Sequence, residues 1–304
     1  METGIQKRKA KRIRQIHYYI MSAPGMLWLI LFSIVPMCGI LMAFQDFNPS
    51  LGIFRSPFIG LENFEYLFSM RESRRVICNT LIIAGWKIVL NLLVPLIFAL
   101  MLNEVRKSVY KRTIQTIAYL PHFLSWVILA SIVINLFGYD GIVNKIAALF
   151  GREPEVFMGD ASIFRQLIIS TDVWKEFGFN AVIYLAALTG INPQLYEAAA
   201  IDGATRWQST WHITLPGMLN TVVLLLVLGL GNILNAGFDQ VFNMYNPMVY
   251  STGDIIDTWV YRIGLFKLQF SLATTAGLFK SVISFFLISV SYLLAYKYAD
   301  YTIF

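Results

Sequence analysis

The chain has 304 residues, of which 57% are hydrophobic and 14% charged, and its mean hydropathy is +0.61. This composition is too apolar for an ordinary soluble domain of that length. The formal net charge of +6 would fit a nucleic-acid-binding protein, but the basic residues cluster beside long apolar runs, which argues against nucleic acid as a partner.

The apolar residues gather in long blocks, each about the length needed to cross roughly 30 Å of hydrocarbon. The sequence therefore predicts an all-α membrane protein with six transmembrane helices, at about residues 22–44, 79–102, 114–137, 165–190, 217–242 and 276–297. The first block is too long and too aromatic for a cleaved signal peptide, so we expect a retained helix. Cys38 and Cys78 have no disulfide or metal-binding spacing and are expected to be buried thiols.

The basic residues give the predicted helices an orientation. They crowd the segment before the first span and the loop between the second and third: Lys7, Arg8, Lys9, Lys11, Arg12, Arg14, Arg106, Lys107, Lys111 and Arg112. With six spans, both groups lie on the side of the two termini, and the positive-inside rule makes that side cytoplasmic. A smaller basic group at Arg71, Arg74 and Arg75 falls outside, in a loop that also carries glutamates. Residues 1–21 are expected to form a basic cytoplasmic arm that contacts lipid headgroups.

The cytoplasmic loop at about residues 191–216 is polar and has the features of two short helices. Strong helix formers follow Asn192, a suitable N-cap, and Pro193, which suits a first helical turn. Gly203 is expected to allow a left-handed turn before a second short helix at about residues 204–212. From these residues alone, the segment is either a simple connector between spans or a docking element for another protein.

The same loop closely resembles the EAA loop of ABC-importer permeases. The matching positions are Glu197, Ala198, Ala199, Asp202, Gly203, Ala204, Gln208, Ile213, Thr214, Leu215 and Pro216. In that family the loop is a coupling helix that sits in a cleft of the ATP-binding subunit, which implies that Glu197 bonds to that subunit and Gly203 sets the turn. Ala200 and Thr210 stand where a basic and an aromatic residue are frequent. These departures leave the identity of the ATPase partner open.

The sequence offers no means of its own to hydrolyse ATP. It contains no Gly-Lys dipeptide and hence no phosphate-binding P-loop. Its three histidines lack zinc-site spacing, and no nucleophile-elbow motif is present. We therefore expect a translocation subunit that is not an enzyme and binds no cofactor, with ATP and Mg²⁺ held by separate partner subunits.

The predicted fourth span carries charged side chains. Four residues fall on one helical face at i, i+3, i+4 and i+7 spacing: Asp172, Lys175, Glu176 and Phe179. A charge at the bilayer centre costs on the order of 2.5–3.5 kcal/mol, so these groups should face the bundle interior, with Lys175 partly neutralising either acid. The alternative is a helix that starts near residue 177 and leaves the charges in an outer loop. That helix would have only about fourteen residues, too short to cross.

In maltose-type permeases the corresponding stretch lines the sugar site. The same resemblance, extended into the fifth span, points to Gly229, Asn232 and Ala236, with Asn235 and Asp239 close by. Asn232, Asn235 and Asp239 follow i, i+3, i+7 spacing and are expected to form a polar stripe on one helix. Such a stripe is sometimes only a helix–helix contact.

Amides, carboxylates and an aromatic platform suit the hydroxyls and ring faces of sugars. Lys175 would also pair with a uronate carboxylate, which makes an acidic oligosaccharide a reasonable hypothesis. Lys87 and Lys280, which also lie within spans, are expected to snorkel or to pair internally.

Nearly the whole chain resembles the permease subunits of carbohydrate-uptake ABC transporters, through the segments GLENFEYLF, NTLIIA, YLPHFLSW and GFNAVIYLAAL. The resemblance implies a type I ABC importer permease with spans two to six as its core, and a permease domain at residues 22–304. It also implies a second homologous permease, two ATP-binding subunits, an extracytoplasmic solute-binding protein and an oligosaccharide substrate. The expected location is the bacterial cytoplasmic membrane.

Two other classes compete with this interpretation. An ion-gradient-driven secondary transporter or channel would use the acids of the fourth span as a proton relay, and would give no reason for the pattern at residues 197–216. A receptor or scaffold would carry no substrate flux at all.

Overall fold

The computed structural model describes the backbone of residues 2–299 and the side chains of residues 16–294 and 296–297. Within that part of the chain the structure is helical with no named strand, and an isolated β-bridge joins Gln45 to Phe58. Five segments are long and apolar enough to cross a membrane: Ile16–Phe44, Arg71–Asn103, Trp126–Leu149, Arg206–Gly231 and Phe270–Leu294.

The main helices, in chain order, are α1 (Glu2–Leu29), α2 (Glu62–Ser69), α3 (Arg71–Asn103), α4 (Ser108–Tyr119), α5 (Trp126–Phe137), α6 (Ile142–Leu149), α7 (Ala161–Thr189), α8 (Pro193–Ile201), α9 (Arg206–Gly231), α10 (Phe238–Met244), α11 (Ile256–Tyr261) and α12 (Phe270–Ala299). After α1 the chain continues through short π, α and 3₁₀ turns to Phe44. The backbone of the predicted basic arm belongs to α1, but the side chains of its basic residues lie outside the described part.

The third predicted span is not one continuous helix. It is divided into α4 and α5 by a 3₁₀ turn at Leu120–Phe123 and an extended residue, Leu124. Pro121 has no N–H to donate and therefore cannot continue the helical ladder. A new helix starts at Ser125, whose hydroxyl accepts a bond from the Ile128 N–H at 3.4 Å.

The predicted fourth span corresponds to α7, a helix of 29 residues that begins four positions before the predicted start at residue 165. Because of its charged residues, α7 is not among the five segments above, where the sequence predicted six. The Asp160 carboxylate caps it by accepting a bond from the Ser162 N–H at 2.7 Å. The Ser162 hydroxyl also donates to this carboxylate, at 2.7 Å, and this bond, with a smaller contribution from the backbone N–H bond, lowers the pKa of the exposed Asp160 carboxyl. The charged positions of this span therefore lie within a helix, and the alternative of a start near residue 177 is wrong.

The predicted fifth span, residues 217–242, is also divided. α9 ends at Gly231 because the chain there changes to tight turns, with the Asn232 N–H bonded to the Gly229 carbonyl and the Asn235 N–H to the Asn232 carbonyl. Gly237 then adopts a left-handed conformation, with φ of +91°, before α10 begins. The prediction of a single helical stripe containing Asn232, Asn235 and Asp239 is therefore wrong.

Two expectations about single side chains have opposite outcomes. The two cysteines are exposed on the surface of this chain, so the prediction of buried thiols is wrong. Lys280 pairs with Asp257 at 2.5 Å, which confirms the expected internal pairing.

The buried core lies around α3 and α7, which pack along each other's length. One apolar cluster joins them to α5, α10 and the segment up to Ile255, and a second joins the N-terminal end of α3 to α11 and α12. A third joins the C-terminal half of α3 to α7 and α9. The first span and α12 lie at the periphery of the fold, as shown by their exposure: only 6% of the most apolar stretch of each is buried.

A buried polar junction holds the segment between α10 and α12 against α3 and α7. Arg262 bonds to Asp254 at 2.5 Å and to Glu72 at 3.1 Å, and Arg165 donates to the Asn79 amide oxygen at 2.8 Å. Burial is the largest single influence and would lower the pKa of Arg262, but the hydrogen bond to Asp254, the negative charge of that carboxylate and smaller contributions from Tyr250 and Glu72 together raise it. This junction therefore fixes the position of the segment between α10 and α12.

Gly178 allows α7 to approach α4 at backbone distance. A Cβ atom added at Gly178 would lie 2.2 Å from the Ala118 carbonyl oxygen, whereas one added at Gly85, another helical glycine, would meet nothing within 4 Å. We expect Gly178→Ala to lower the free energy of unfolding by about 1–3 kcal/mol through overpacking. Gly85→Ala should be neutral or slightly stabilising. Thermal unfolding in detergent checks this pair, and equal melting temperatures would contradict the packing argument.

Candidate translocation cavity and coupling loop

A cavity of about 370 Å³ lies between α3, α7, α9 and the non-helical segment that follows α9. Its volume is within the range of small-molecule sites. It is lined by Ala84, Lys87, Ile88, Asn91, Leu92, Asp172, Asn180, Ile183, Tyr184, Leu225, Gly229, Asn232, Asn235, Ala236 and Gly237. Five of the nine substrate-lining positions predicted from the sequence are among these residues: Asp172, Gly229, Asn232, Asn235 and Ala236.

An ion pair at the wall of the cavity joins three elements of the fold. The Lys87 ammonium on α3 lies 3.0 Å from the Asp172 carboxylate on α7. It also donates to the Ala236 carbonyl at 2.8 Å and to the Gln240 side-chain oxygen. The Asn91 amide donates to the other Asp172 oxygen at 2.9 Å. Lys87 thus pairs internally as predicted, but its partner Asp172 is not neutralised by Lys175.

The other charged residues of α7 form a separate group beside the cavity. Lys175 is buried, lies 3.0 Å from Glu176 and donates to the His122 carbonyl at 2.7 Å. The His122 Nδ1 lies 2.7 Å from Glu176, which as a carboxylate accepts the bond. His122 also stacks on Phe179, with ring centroids 3.9 Å apart and planes at 3°. This group holds the break in the third span against α7.

Four predicted lining positions therefore lie outside the cavity wall: Lys175, Glu176, Phe179 and Asp239. Lys175 cannot reach a ligand in the cavity, because its ammonium is enclosed by His122 and the Trp126 ring. Asp239 is exposed in the first turn of α10, beyond the end of α9.

Four polar lining residues were not predicted from the sequence to line the cavity: Lys87, Asn91, Asn180 and Tyr184. Asn91 lies one helical turn after Lys87 on α3, and Asn180 lies two turns after Asp172 on α7. An amide four residues from a lysine inside an apolar span is a detectable sign of a polar face. Lys87 itself was recognised, but only as an internally paired residue.

The loop at residues 191–216, which was predicted to be cytoplasmic, forms an exposed elbow. The Asn192 side chain caps α8 by accepting a bond from the Gln194 N–H at 3.0 Å, and Pro193 occupies the first turn, as predicted. Gly203 has a φ of +77°, the left-handed turn expected there, and Glu197 is exposed on α8. Ala199, Asp202 and Gly203 border a small open hollow on this elbow.

The second short helix of the loop is not a separate element. A capping box between Thr205 and Gln208 starts α9, which continues through a π-helical turn at Thr210–Thr214 into the fifth span. Leu215 and Pro216 therefore lie inside a continuous helix. The prediction that the second short helix ends near residue 212, before the fifth span begins, is wrong. The elbow is held to its surroundings by a bond between Tyr196 and Thr214 at 2.9 Å and an exposed ion pair between Arg206 and Glu104 at 2.9 Å.

Long apolar helices, a polar cavity between them and an exposed elbow that leads into one of these helices are typical of a multi-pass membrane permease. Residues 91–300 match the family of the binding-protein-dependent transport system inner membrane component, and the chain belongs to this family.

Two relatives from Bacillus subtilis (strain 168) are similar over most of their length. Protein LplB is 42% identical, with 92% of this chain and 88% of the relative covered. The polygalacturonan/rhamnogalacturonan transport system permease protein YteP is 40% identical, with 97% of this chain and 93% of the relative covered.

Solved structures of a bacterial alginate ABC transporter share the fold. A chain of the transporter involved in import of the acidic polysaccharide alginate superimposes with a TM-score of 0.86 at 38% identity, covering 96% of this chain and 99% of that one. A chain of the same transporter in complex with an alginate pentasaccharide-bound periplasmic protein superimposes with a TM-score of 0.86 at 36% identity. The superposition covers 97% of this chain and 99% of that one. The predictions of a type I ABC importer permease fold and of an ABC importer permease subunit are confirmed. Nothing in these comparisons supports an ion-gradient-driven transporter or channel.

Gly237 provides a test of the ion pair that borders the cavity. Its φ is +91°, and an added Cβ would lie 3.0 Å from the Lys87 ammonium, whereas Gly151 has a φ of +75° with open space around it. Gly151→Ala should cost only the left-handed strain of about 1–2 kcal/mol. Gly237→Ala should lower the melting temperature further, because Lys87 must also move. A smaller effect at Gly237 than at Gly151 would contradict the tight approach.

Proposed function

We propose that this chain is one of two permease subunits of an ATP-driven importer that moves oligosaccharides across the bacterial cytoplasmic membrane. The observation that carries the proposal is the amide-rich cavity among the spans, where the Lys87–Asp172 pair and several asparagines border a space of ligand size. The relatives support a saccharide as the substrate, since YteP is named for polygalacturonan and rhamnogalacturonan and the solved transporter for alginate. Fragments of acidic polysaccharides are therefore the favoured substrate class.

A second homologous permease is the partner that best fits the open side of the cavity. Asn232 and Asn235 line the cavity and are exposed on the surface of this chain. Polar groups at membrane depth do not face lipid, because hydrocarbon offers them no hydrogen bonds. A partner of similar architecture would cover these amides and complete the passage, while membrane lipid would contact the apolar periphery.

One ATP-binding subunit would bind the elbow formed by α8 and the start of α9, and a second would bind the corresponding elbow of the partner permease. Glu197, Trp207 and Trp211 are exposed there, and the two tryptophan rings pack edge to face with centroids 5.8 Å apart. These side chains suit a polar contact and an apolar one with another protein. Since the sequence has no P-loop, ATP and Mg²⁺ would be bound by those subunits. The elbow would then lie in the cytoplasm, as would both termini.

The continuity of α9 suggests how force reaches the cavity. A helix of 26 residues runs from Arg206 at the elbow to Gly231 at the cavity, a length of roughly 39 Å. Closure of the ATPase dimer would displace the elbow and, through this helix, the residues that line the passage. An extracytoplasmic binding protein would deliver the substrate, as supported by the alginate transporter in complex with its periplasmic protein.

Reconstitution tests the proposed function. The permease pair, its ATPase and its binding protein would be placed in proteoliposomes, and uptake of oligogalacturonides and alginate oligosaccharides would be measured. We expect uptake that needs ATP and the binding protein and persists when ionophores remove ion gradients. Uptake that continues without ATP would favour the gradient-driven class, and no uptake of any saccharide would overturn the proposed substrate class.

Asn232→Leu should abolish most uptake and leave assembly intact. Asn232 lines the cavity, and its side-chain amide bonds only to the Leu228 carbonyl of its own helix, at 3.2 Å, so its loss leaves no buried charge unpaired. We expect at least a tenfold fall in uptake, the effect of about 1.4 kcal/mol. Gel filtration of the complex provides the control for assembly. Normal uptake by this variant would exclude Asn232 from the substrate path.

Glu197→Lys and Gly203→Pro should each prevent co-purification with the ATPase. The first reverses an exposed charge on α8, and the second introduces a residue whose φ cannot reach the +77° found at Gly203. Glu153→Lys, the same charge reversal at an exposed site remote from the elbow, is the matched control. Retention of the ATPase by both elbow variants would remove the elbow from the interface.

A further inference from the structure

The two charged side chains that border the cavity cancel each other. Lys87 and Asp172 are the only lysine, arginine or carboxylate side chains among the described lining residues, and they form an ion pair. An ammonium has three protons to donate, and those of Lys87 are directed to Asp172, the Ala236 carbonyl and the Gln240 side chain. No proton of Lys87 is therefore left for a substrate carboxylate, and the lining carries no net charge.

Several amides in the same cavity have unused hydrogen-bonding groups. Because a carboxylate only accepts, the Asn91 amide must turn its NH₂ toward Asp172, and this leaves its oxygen buried without a partner. Asn180 and Asn235 line the cavity, and neither side chain bonds to another described residue. The Asn91 oxygen is buried without a partner, which costs about 1–3 kcal/mol, while the Asn180 amide is half-buried and the Asn235 amide exposed. Together these groups favour a bound molecule that offers both donors and acceptors.

We infer that this cavity recognises the hydroxyl groups of a saccharide through Asn91, Asn180 and Asn235, and does not distinguish a uronate from its neutral methyl ester. The inference rests on the proposed function. A hydroxyl donates and accepts, and so does an amide, whereas a carboxylate only accepts. A uronate placed here would lie near the Asp172 carboxylate and find Lys87 already bonded. Selection for acidic saccharides would then lie with the binding protein or the second permease.

Charge substitutions provide the sharper test. The complete importer in proteoliposomes would take up a galacturonate trisaccharide or its fully methyl-esterified form, with the same binding protein throughout. Each variant's acid-to-ester uptake ratio is divided by the wild-type ratio, so that the preference of the binding protein cancels. Asp172→Asn leaves Lys87 positive and should raise this ratio several-fold, while Lys87→Gln should lower it by a similar factor.

The double variant Lys87→Gln/Asp172→Asn is the decisive case, because it leaves no unpaired buried charge and should restore the wild-type ratio within about twofold. The pair Lys280→Gln/Asp257→Asn removes a similar ion pair away from the cavity lining and should leave the ratio unchanged. A double variant that takes up the ester normally but loses the acid would overturn the inference, since Lys87 would then be a carboxylate ligand.

The amides are tested with the same two saccharides. Asn180→Leu should lower the uptake of both by about tenfold, the loss of roughly one hydrogen bond, with the ratio unchanged. Asn135→Leu is the control, because the Asn135 amide bonds to the Ser131 carbonyl of its own helix and does not line the cavity. Unaltered uptake by the Asn180 variant would overturn the inference. Failure of the wild-type importer to take up either saccharide would instead count against the proposed function.

Discussion

The Lys87–Asp172 ion pair is the interaction on which the arrangement of the cavity depends. Neither charge could lie alone at membrane depth, because each would lose its hydration without gaining a partner. Together they also fix the segment after α9, since Lys87 bonds to the Ala236 carbonyl and lies close against Gly237. The polar backbone released where α9 ends is thus satisfied inside the protein, which permits an irregular segment next to the cavity.

The same element that ends at the cavity begins at the elbow. A π-helical turn at Thr210–Thr214 precedes Pro216, and the helix passes both without a break. π-turns and prolines are the usual causes of helix bending, so α9 combines an uninterrupted path with a local site of bending near the membrane surface. By contrast, the third span is interrupted at Leu120–Phe123 and bears against α7 through His122 and Phe179. Displacement of the elbow would therefore reach the cavity more directly along α9 than through the third span.

Hydropathy and the loop motif were sufficient to predict the helical membrane fold and the elbow, because both are encoded by neighbouring residues. The left-handed Gly203 and the Asn192 cap are local in the same sense. The predicted continuity of the third and fifth spans was wrong, because an apolar run does not reveal where tight turns replace the helical ladder, as they do at Leu120–Phe123 and after Gly229. The partner of Asp172 was also missed. Lys87 lies 85 positions earlier in the chain, and only tertiary packing brings the two together.

The surface of the single chain shows which of its sides is incomplete. The first span and α12 expose apolar side chains, which hydrocarbon can cover without loss of hydrogen bonds. Asn232 and Asn235 are exposed too, yet they border a cavity that holds a buried ion pair. Lipid on that side would leave their amides unsatisfied and admit no solute, whereas a second polar wall would satisfy them and enclose a passage. The polarity of this one side is therefore the structural support for the proposed pairing with a second permease.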